Sequence, residues 1–390
     1  MDHAVLRNVI RPVAQAHGLP NSHYTDEGAF AEEREIILSR NWAGVGFGKD
    51  IPEPGDAMPL EFVGVPLVAV RREDGSISVY QNVCSHRGMI LVQERKNIRG
   101  TFRCPYHSWC YGLDGSLRST PHVGGPGQNI HAGIRREELG LTGIRSCVYM
   151  DIIFVNLSGT AEPFEQVHEG LLTRWSDFEQ PAWHGGEDSA FSIDIACNWK
   201  LAVENNCESY HLPWVHPGLN SYSRLEDHYH IEEPESCSGQ GSIVYRQIED
   251  DDGRKFPNFA NLSRKWDTGS EYVSLFPNVL LGVHCDHLFS IVLEPLGPSR
   301  TREHVSIYYA HPSVPGDECR ALRQKNSSLW RGVFLEDVFV VEGMQKGRHG
   351  PYFDGGRFSP VMDSPTHRFH EWVARQCLDG QQPGQSGDAG

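Results

Sequence analysis

Residues 24 to 40 open on a capping candidate at Thr25 or Asp26 and then set Phe30, Ile36, Ile37 and Leu38 among acidic positions, which predicts a surface helix. From about Trp42 to Asn156 the pattern changes to short apolar runs, among them Pro66 to Val70, Ser76 to Tyr80 and Cys147 to Asn156, cut by Gly, Pro and Asp. That punctuation predicts an all-β domain over residues 42–160. From Ala161 onward, strand-like runs (Tyr272 to Val283, Leu288 to Glu294, His304 to His311) lie between two helical candidates, Trp199 to Leu212 and Ser327 to Gln345. Residues 161–378 therefore form an α+β unit in which helices distant in sequence meet over one sheet. Beyond Leu378 the chain turns to Gly, Gln and Ser, and residues 379–390 are expected to be a disordered tail.

A chain of 390 residues fits about two domains. The formal charge of -16 opposes phosphate backbones and anionic membrane surfaces, so nucleic acid is excluded as a partner, while a basic redox partner would be steered toward the chain. No stretch reaches the roughly 18 uninterrupted apolar residues of a spanning helix, and no basic segment leads into an apolar block at the N-terminus. The expectation is a cytoplasmic protein without a membrane partner. Ten cysteines in such a chain are thiols or metal ligands rather than a disulfide framework. Cys147, Cys197, Cys237, Cys285, Cys319 and Cys377 are scattered singly and count as small buried hydrophobes.

Four residues in the β-rich stretch are different. Cys84-Ser85-His86-Arg87-Gly88 is followed, after seventeen residues intervening beyond His86, by Cys104-Pro105-Tyr106-His107. Thiolates stabilise ferric iron and neutral imidazoles suit a more reducible iron. Two Cys on one iron and two His on the other therefore define a Rieske [2Fe-2S] centre. Two Cys and two His also close a tetrahedral zinc site. A zinc finger, however, pairs Cys with Cys and His with His, whereas each arm here carries one of each. Cys110 has no partner in the motif and is assigned to packing.

The run from Asn198 to Pro217 holds a second set. His211 and His216 lie five apart, about 140° round an ideal helix, and share a metal only where the helix breaks. Pro213 is the expected break, since it removes a backbone donor and biases Leu212 away from helix. Two imidazoles and one carboxylate on one face of an iron leave positions open for O2 and substrate. The second helical candidate offers Trp330, Val333, Phe334, Asp337, Val341 and Met344 on a single stripe, with Asp337 the acid among them. A carboxylate there is paired, capped or bound to metal. The alternatives are thus a salt-bridged core aspartate or the third ligand, and Glu336 is less well placed.

Together Cys84-x-His86, Cys104-x-x-His107, the Glu208-x-x-His211-x4-His216 run and Asp337 resemble the α-subunits of Rieske non-haem iron oxygenases. The resemblance extends over nearly the whole chain, including the Tyr24-Thr25-Asp26-Glu27 opening, the Pro52-Glu53-Pro54-Gly55 turn and the stretch from Cys104 to Gly115. It implies a Rieske domain held by Cys84, His86, Cys104 and His107, joined to a helix-grip catalytic domain with an antiparallel sheet. There His211, His216 and Asp337 bind Fe(II), and residues 1–41 pack with that catalytic domain. It also implies a head-to-tail homotrimer in which electrons pass from His107 of one copy to Glu208 and His211 of the next. Most relatives have Asp at this bridge. Glu208 is similar to the branch acting on quaternary ammonium compounds, the carnitine, choline and glycine-betaine monooxygenases. Mitochondrial-type Rieske proteins pin their cluster loops with a disulfide. Met89 and Tyr106 occupy those positions here, which predicts a potential near the low end of the roughly -150 to +300 mV Rieske span.

A trimethylammonium substrate favours aromatic faces, and Tyr210, Trp214, Tyr222 and Phe276 are the pocket candidates, each equally readable as core packing. His284, Cys285, Asp286 and His287 look like a metal cluster but are assigned to pocket lining or surface, as are His228 and His230. Asp250 to Asp252 form a solvated loop. The chain has no Gly-rich dinucleotide fingerprint. Electrons are therefore expected from NAD(P)H through a separate flavin and iron-sulfur reductase, with or without a ferredoxin. One oxygen of O2 would enter a C–H bond beside nitrogen, and a hydroxylated N-methyl group would leave as formaldehyde. The rivals are an aromatic-ring hydroxylating dioxygenase subunit, a pure electron-transfer Rieske protein, and a zinc-stabilised binding module.

Overall fold

Apolar runs separated by tight turns become antiparallel strands throughout residues 39–161, one of the two units into which the chain divides. The computed structural model describes residues 3–233 and 235–380. In the first unit, β1 (Ala43–Phe47), β2 (Asp56–Phe62), β3 (Val65–Arg71), β4 (Ile77–Gln81), β5 (Lys96–Asn97), β9 (Gly143–Tyr149) and β10 (Ile152–Asn156) form a sheet in the order β1-β10-β9-β4-β3-β2-β5. A second sheet holds β6 (Thr101–Arg103), β7 (Cys110–Gly112) and β8 (Leu117–Ser119). The run Cys147 to Asn156 is not one strand. Met150 and Asp151, both at positive φ, turn it into a two-residue hairpin with Tyr149 opposite Ile152.

The other unit, formed by the residues before 39 and after 161, is α+β. Asp26, not Thr25, caps α1 (Glu27–Glu33), accepting from Ala29 N at 2.8 Å. Thr25 instead donates to Asn21 O. The sheet contains β11 (Trp183–His184), β12 (Ala190–Ile195), β13 (His228–Glu233), β14 (Cys237–Ser242), β15 (Ser270–Leu275), β16 (Val279–Val283), β17 (His287–Gly297) and β18 (Arg300–Tyr309). All neighbours are antiparallel, in the order β11-β18-β17-β16-β15-β14-β13, with β12 also on β18. The predicted run Tyr272 to Val283 is likewise a pair, β15 and β16, joined by a turn with a cis Phe276–Pro277 bond.

Three helices lie over this sheet: α2 (Trp199–Cys207), α4 (Arg320–Gly347) and α5 (Ser364–Gly380); a single turn, α3 (Leu212–Val215), follows α2. The first is five residues shorter than Trp199 to Leu212, and α4 starts seven residues before Ser327. Since α5 runs to Gly380, the expected tail does not begin at 379, and residues 381–390 lie outside the described residues. No helix among the described residues is long and apolar enough to cross a membrane.

The N-terminal segment is tied to α2 by charge. Lys200 Nζ meets Glu33 Oε2 at 2.5 Å, and His23 Nδ1 meets Glu33 Oε1 at 2.9 Å, all three side chains being buried. Burial pushes the Glu33 pKa up, but Lys200 and then His23 outweigh it and leave it lowered. A depressed carboxylate contributes stability above its unfolded value, ordinarily about 4.5, and loses it as pH falls through the folded value. Lys200→Met should therefore cost about 3–5 kcal/mol at neutral pH, because it removes the lysine partner of a buried carboxylate and leaves only His23 beside it. The gap to wild type should narrow in urea titrations near pH 4.5, where Glu33 of the variant is protonated. An equal loss at both pH values would show that charge is not the cause.

Candidate metal centres

Helix α2 ends at Cys207 because Glu208 takes an extended backbone and turns its carboxylate back on the next residues. Its Oε2 accepts from the backbone N–H groups of Tyr210 and His211, and its Oε1 accepts from His211 Nδ1 at 2.7 Å. The break is thus at Glu208, before both histidines, and not at Pro213. Proline needs no donor in the first turn of a helix, and Pro213 starts α3 rather than ending α2. His211 and His216 flank that single turn, which brings their ring centroids to 5.1 Å.

Asp337 arrives from the middle of α4. Its Oδ1 lies 3.0 Å from His216 Nε2 and 3.7 Å from His211 Nε2, and it accepts from Asn205 Nδ2 at 3.2 Å. Glu336, one residue earlier and half-exposed, accepts from His216 Nδ1 at 2.8 Å. Both rings are thereby held with Nε2 toward one point. Ligand atoms about 2.1 Å from one ion at right angles are about 3 Å apart, and this set needs little movement to reach that. Burial opposes a proton on His216, yet Asp337 and then Glu336 outweigh it and raise its pKa. The same negative field suits a cation between the three groups. Among the described residues, His211, His216 and Asp337 are the set of three such groups whose ligand atoms lie within 4.8 Å of one another.

A cavity of about 100 Å3 opens beside these groups, with Tyr222, Tyr245, Tyr272, Phe289, Trp330 and Phe334 in its wall. Of the four aromatic candidates only Tyr222 is there. Leu212 and His216 point inward from α3, so Trp214, two positions on from Leu212, points out and is 71% exposed. Tyr210 meets Trp214 edge-on at 5.8 Å outside the wall, and Phe276 packs on Phe369 and Trp372 of α5. Trp330 and Phe334 share the stripe of Asp337, a signal legible in the sequence. Tyr245 comes from irregular chain with no such signal.

His284 and His287 close the turn between β16 and β17, stacked at 4.3 Å and fully buried, because Phe259 and its neighbours cover that side. They are not on the surface. His287 Nε2 accepts from Trp330 Nε1 at 2.8 Å, so its Nδ1 donates to Asp286 Oδ1, also at 2.8 Å, and Tyr245 donates to the same oxygen at 3.0 Å. His228 enters the wall between Ser223 and Gln240.

In the β unit, the two motif loops repeat one another. Gly88 N–H donates to Cys84 O and Cys84 N–H to Met89 O, while Ser108 N–H donates to Cys104 O and Cys104 N–H to Trp109 O. Gly88 and Ser108, each four residues past its Cys, both take positive φ. The thiols are buried side by side, and the rings of His86 and His107 lie 4.7 Å apart. His107 Nδ1 is a buried nitrogen without a partner, as a metal ligand stripped of its metal should be. Burial, then His107 and Arg87, lower the His86 pKa, so its imidazole stays neutral. The donor set fits a two-iron cluster.

Tyr111 OH lies 3.1 Å from Cys84 Sγ and 2.9 Å from Ser85 Oγ, and burial with the Cys84 contact keeps it protonated. A hydrogen bond to a cluster thiolate favours the more negative, reduced state. Tyr111→Phe should lower the potential by tens of millivolts, since about 1.4 kcal/mol is ~59 mV for one electron. A spectroelectrochemical titration checks this, and an unchanged midpoint would remove Tyr111 from the tuning.

Comparison with known proteins agrees with both centres. Residues 182–379 match the ring hydroxylating alpha subunit catalytic domain, and residues 41–131 match the Rieske [2Fe-2S] domain. The chain is 29% identical to a chloroplastic choline monooxygenase of Arabidopsis thaliana over 92% of its own length and 82% of that protein. It is 26% identical to the carnitine monooxygenase oxygenase subunit of Escherichia coli over 94% of its own length and 95% of that subunit. Its fold is similar to that of a quaternary ammonium Rieske monooxygenase (TM-score 0.75, 22% identity, 96% of this chain and 98% of the other). It is also similar to naphthalene 1,2-dioxygenase from Rhodococcus sp. (TM-score 0.74, 19% identity, 97% and 99%). A match over the catalytic domain leaves no place for an electron-transfer protein or a zinc-held binding module. The chain belongs to the ring-hydroxylating α-subunit family and is a Rieske oxygenase, an oxidoreductase with a [2Fe-2S] cluster, a mononuclear iron and O2 as co-substrate.

Proposed function

We propose that this oxygenase acts on a quaternary ammonium compound, hydroxylating a carbon beside the nitrogen. The observation that carries this reading is the state of the cavity wall. The indole N–H of Trp330 and the hydroxyl of Tyr245 are turned away into the Asp286–His287 pair, and Tyr272 OH meets His284 Nε2 at 3.1 Å. These three aromatic side chains therefore offer the cavity π faces rather than donors. A methylated ammonium has nothing to donate, and each well-placed face attracts it by roughly 0.5 to 2 kcal/mol. Relatives named for choline and carnitine support the same class. Arg246, exposed in the wall and without an ion pair among the described residues, favours a substrate that carries a carboxylate as well.

In this reading His211, His216 and Asp337 hold the iron, and Cys84, His86, Cys104 and His107 hold the cluster. When bound, the cluster supplies single electrons and the iron an open face for O2, with the electrons coming from a separate reductase. Glu208 and Glu336 hold the proton on each Nδ1 and leave Nε2 as the ligand atom. Glu208 and His211 also line a hollow of about 510 Å3 together with Arg348, Phe353, Arg357 and Asp363. That hollow admits a loop of a second copy, whose His107 N–H would find an acceptor in Glu208. This is the basis for a trimer in which copies exchange electrons.

The test reduces the iron-loaded protein and mixes it with O2 and, separately, carnitine, choline, glycine betaine or an aromatic acid, following cluster oxidation with product analysis. Product-coupled oxidation is expected with quaternary ammonium compounds; a response to the aromatic acid alone would overturn the substrate class. Glu208→Gln should retain both metals and slow that oxidation at least about tenfold, one strong hydrogen bond's worth. Arg246→Met should raise KM for carboxylate-bearing substrates about tenfold while leaving choline unchanged. Equal effects on both would separate Arg246 from substrate choice.

A further inference from the structure

A second, smaller cavity lies on the far side of Asp337. It measures about 30 Å3, room for about two waters. Its polar groups are Asn205, Asn206, Asp337 and Glu303, and the rest of the wall is aliphatic or Phe334. Asp337 and the two asparagines also line the larger cavity, so they form the partition between the two.

Glu303 comes from β18, with Leu293 of β17 on one side and Ile193 of β12 on the other. It is 7% exposed. No cation pairs with it among the described residues. An ionised carboxylate buried between these aliphatic neighbours without a cation is the costly state, and the neutral acid is the stable one. Burial is the main cause that raises its pKa. A buried O–H needs an acceptor. On Asp337, Oδ1 already meets both imidazoles and Asn205, which leaves Oδ2.

We propose that Glu303 is a positioning residue for the iron: as a neutral acid it donates, through water in the small cavity, to Asp337 Oδ2, and so keeps that carboxylate on the ion through Oδ1 alone. A carboxylate bound by one oxygen leaves an additional position open, which O2 and substrate require. The proposal rests on Asp337 being a ligand.

The experiment titrates Fe(II) into the cluster-bearing protein against a chelator and records the visible spectrum of Co(II) in the same site. It compares wild type with Glu303→Gln, Glu303→Leu and Asp337→Asn. Glu303→Gln retains a neutral donor and should bind within about twofold of wild type, whereas Glu303→Leu should lose about tenfold or more. The Co(II) bands should change only in the leucine variant, as Asp337 turns to chelate through both oxygens. Wild-type affinity and spectrum in Glu303→Leu overturn the proposal, and so does an equal loss in Glu303→Gln. If the leucine variant does not fold, infrared spectroscopy decides. A protonated-acid C=O stretch should be present in wild type, absent in Glu303→Gln, and shifted by Co(II). A missing or metal-insensitive band overturns the proposal. Equal ion binding by wild type and Asp337→Asn also ends it, and places the failure in the ligand assignment itself.

Discussion

A carboxylate on the far nitrogen of each imidazole is the constraint on which the catalytic site depends. Glu208 on His211 and Glu336 on His216 each fix a tautomer and a ring plane, and both leave Nε2 aimed at Asp337 Oδ1. The two acids reach their histidines differently. Glu208 acts within its own turn, where the longer glutamate side chain folds back over the backbone it terminates. Glu336 acts across space from α4, so the helix that brings Asp337, the candidate carboxylate ligand, also brings the clamp for the second histidine.

This arrangement concentrates negative charge, and the surroundings answer it in two ways. Asn205 donates to Asp337 from α2, tying the two ligand-bearing elements together. Glu303, on the sheet beside them, is buried, which raises its pKa and disfavours a further negative charge. The three ligand-facing groups are at most one-fifth exposed, and a cation between them is what balances the site.

The aromatic cavity follows a parallel logic. Asp286 orients His287, His287 accepts from Trp330, and the indole is thereby held with its face toward the cavity. In the β unit the repeated loop geometry around Cys84 and Cys104 does the corresponding work. Backbone hydrogen bonds fix each cysteine, and the stacking of His86 on Trp109 at 4.6 Å orients an imidazole. Each centre is held mainly by elements outside its ligand residues.

The candidate ligand residues and the two fold classes were legible in the sequence because they rest on local regularities. These were paired Cys-x-His and Cys-x-x-His arms, two histidines near a helix end, and one acid on an apolar stripe. The helix break was misplaced because a proline is equally at home at a helix start, and only the Glu208 carboxylate decides between the two. Strand pairs such as Cys147 to Asn156 ran together because a two-residue turn of Met150 and Asp151 carries no glycine. Trp214 was a pocket candidate on proximity in sequence, yet a single helical turn sends neighbours in opposite directions; Phe276 was one as part of a strand-like run, but it sits at the turn between β15 and β16 and packs on α5. The roles of Glu336, Asn205, Asp286, His287 and Glu303 belong to the tertiary structure alone. Apart from the adjacent Asp286–His287 contact, each depends on a partner tens of residues away or more, or on the absence of one, and no local spacing encodes which buried side chain will face which.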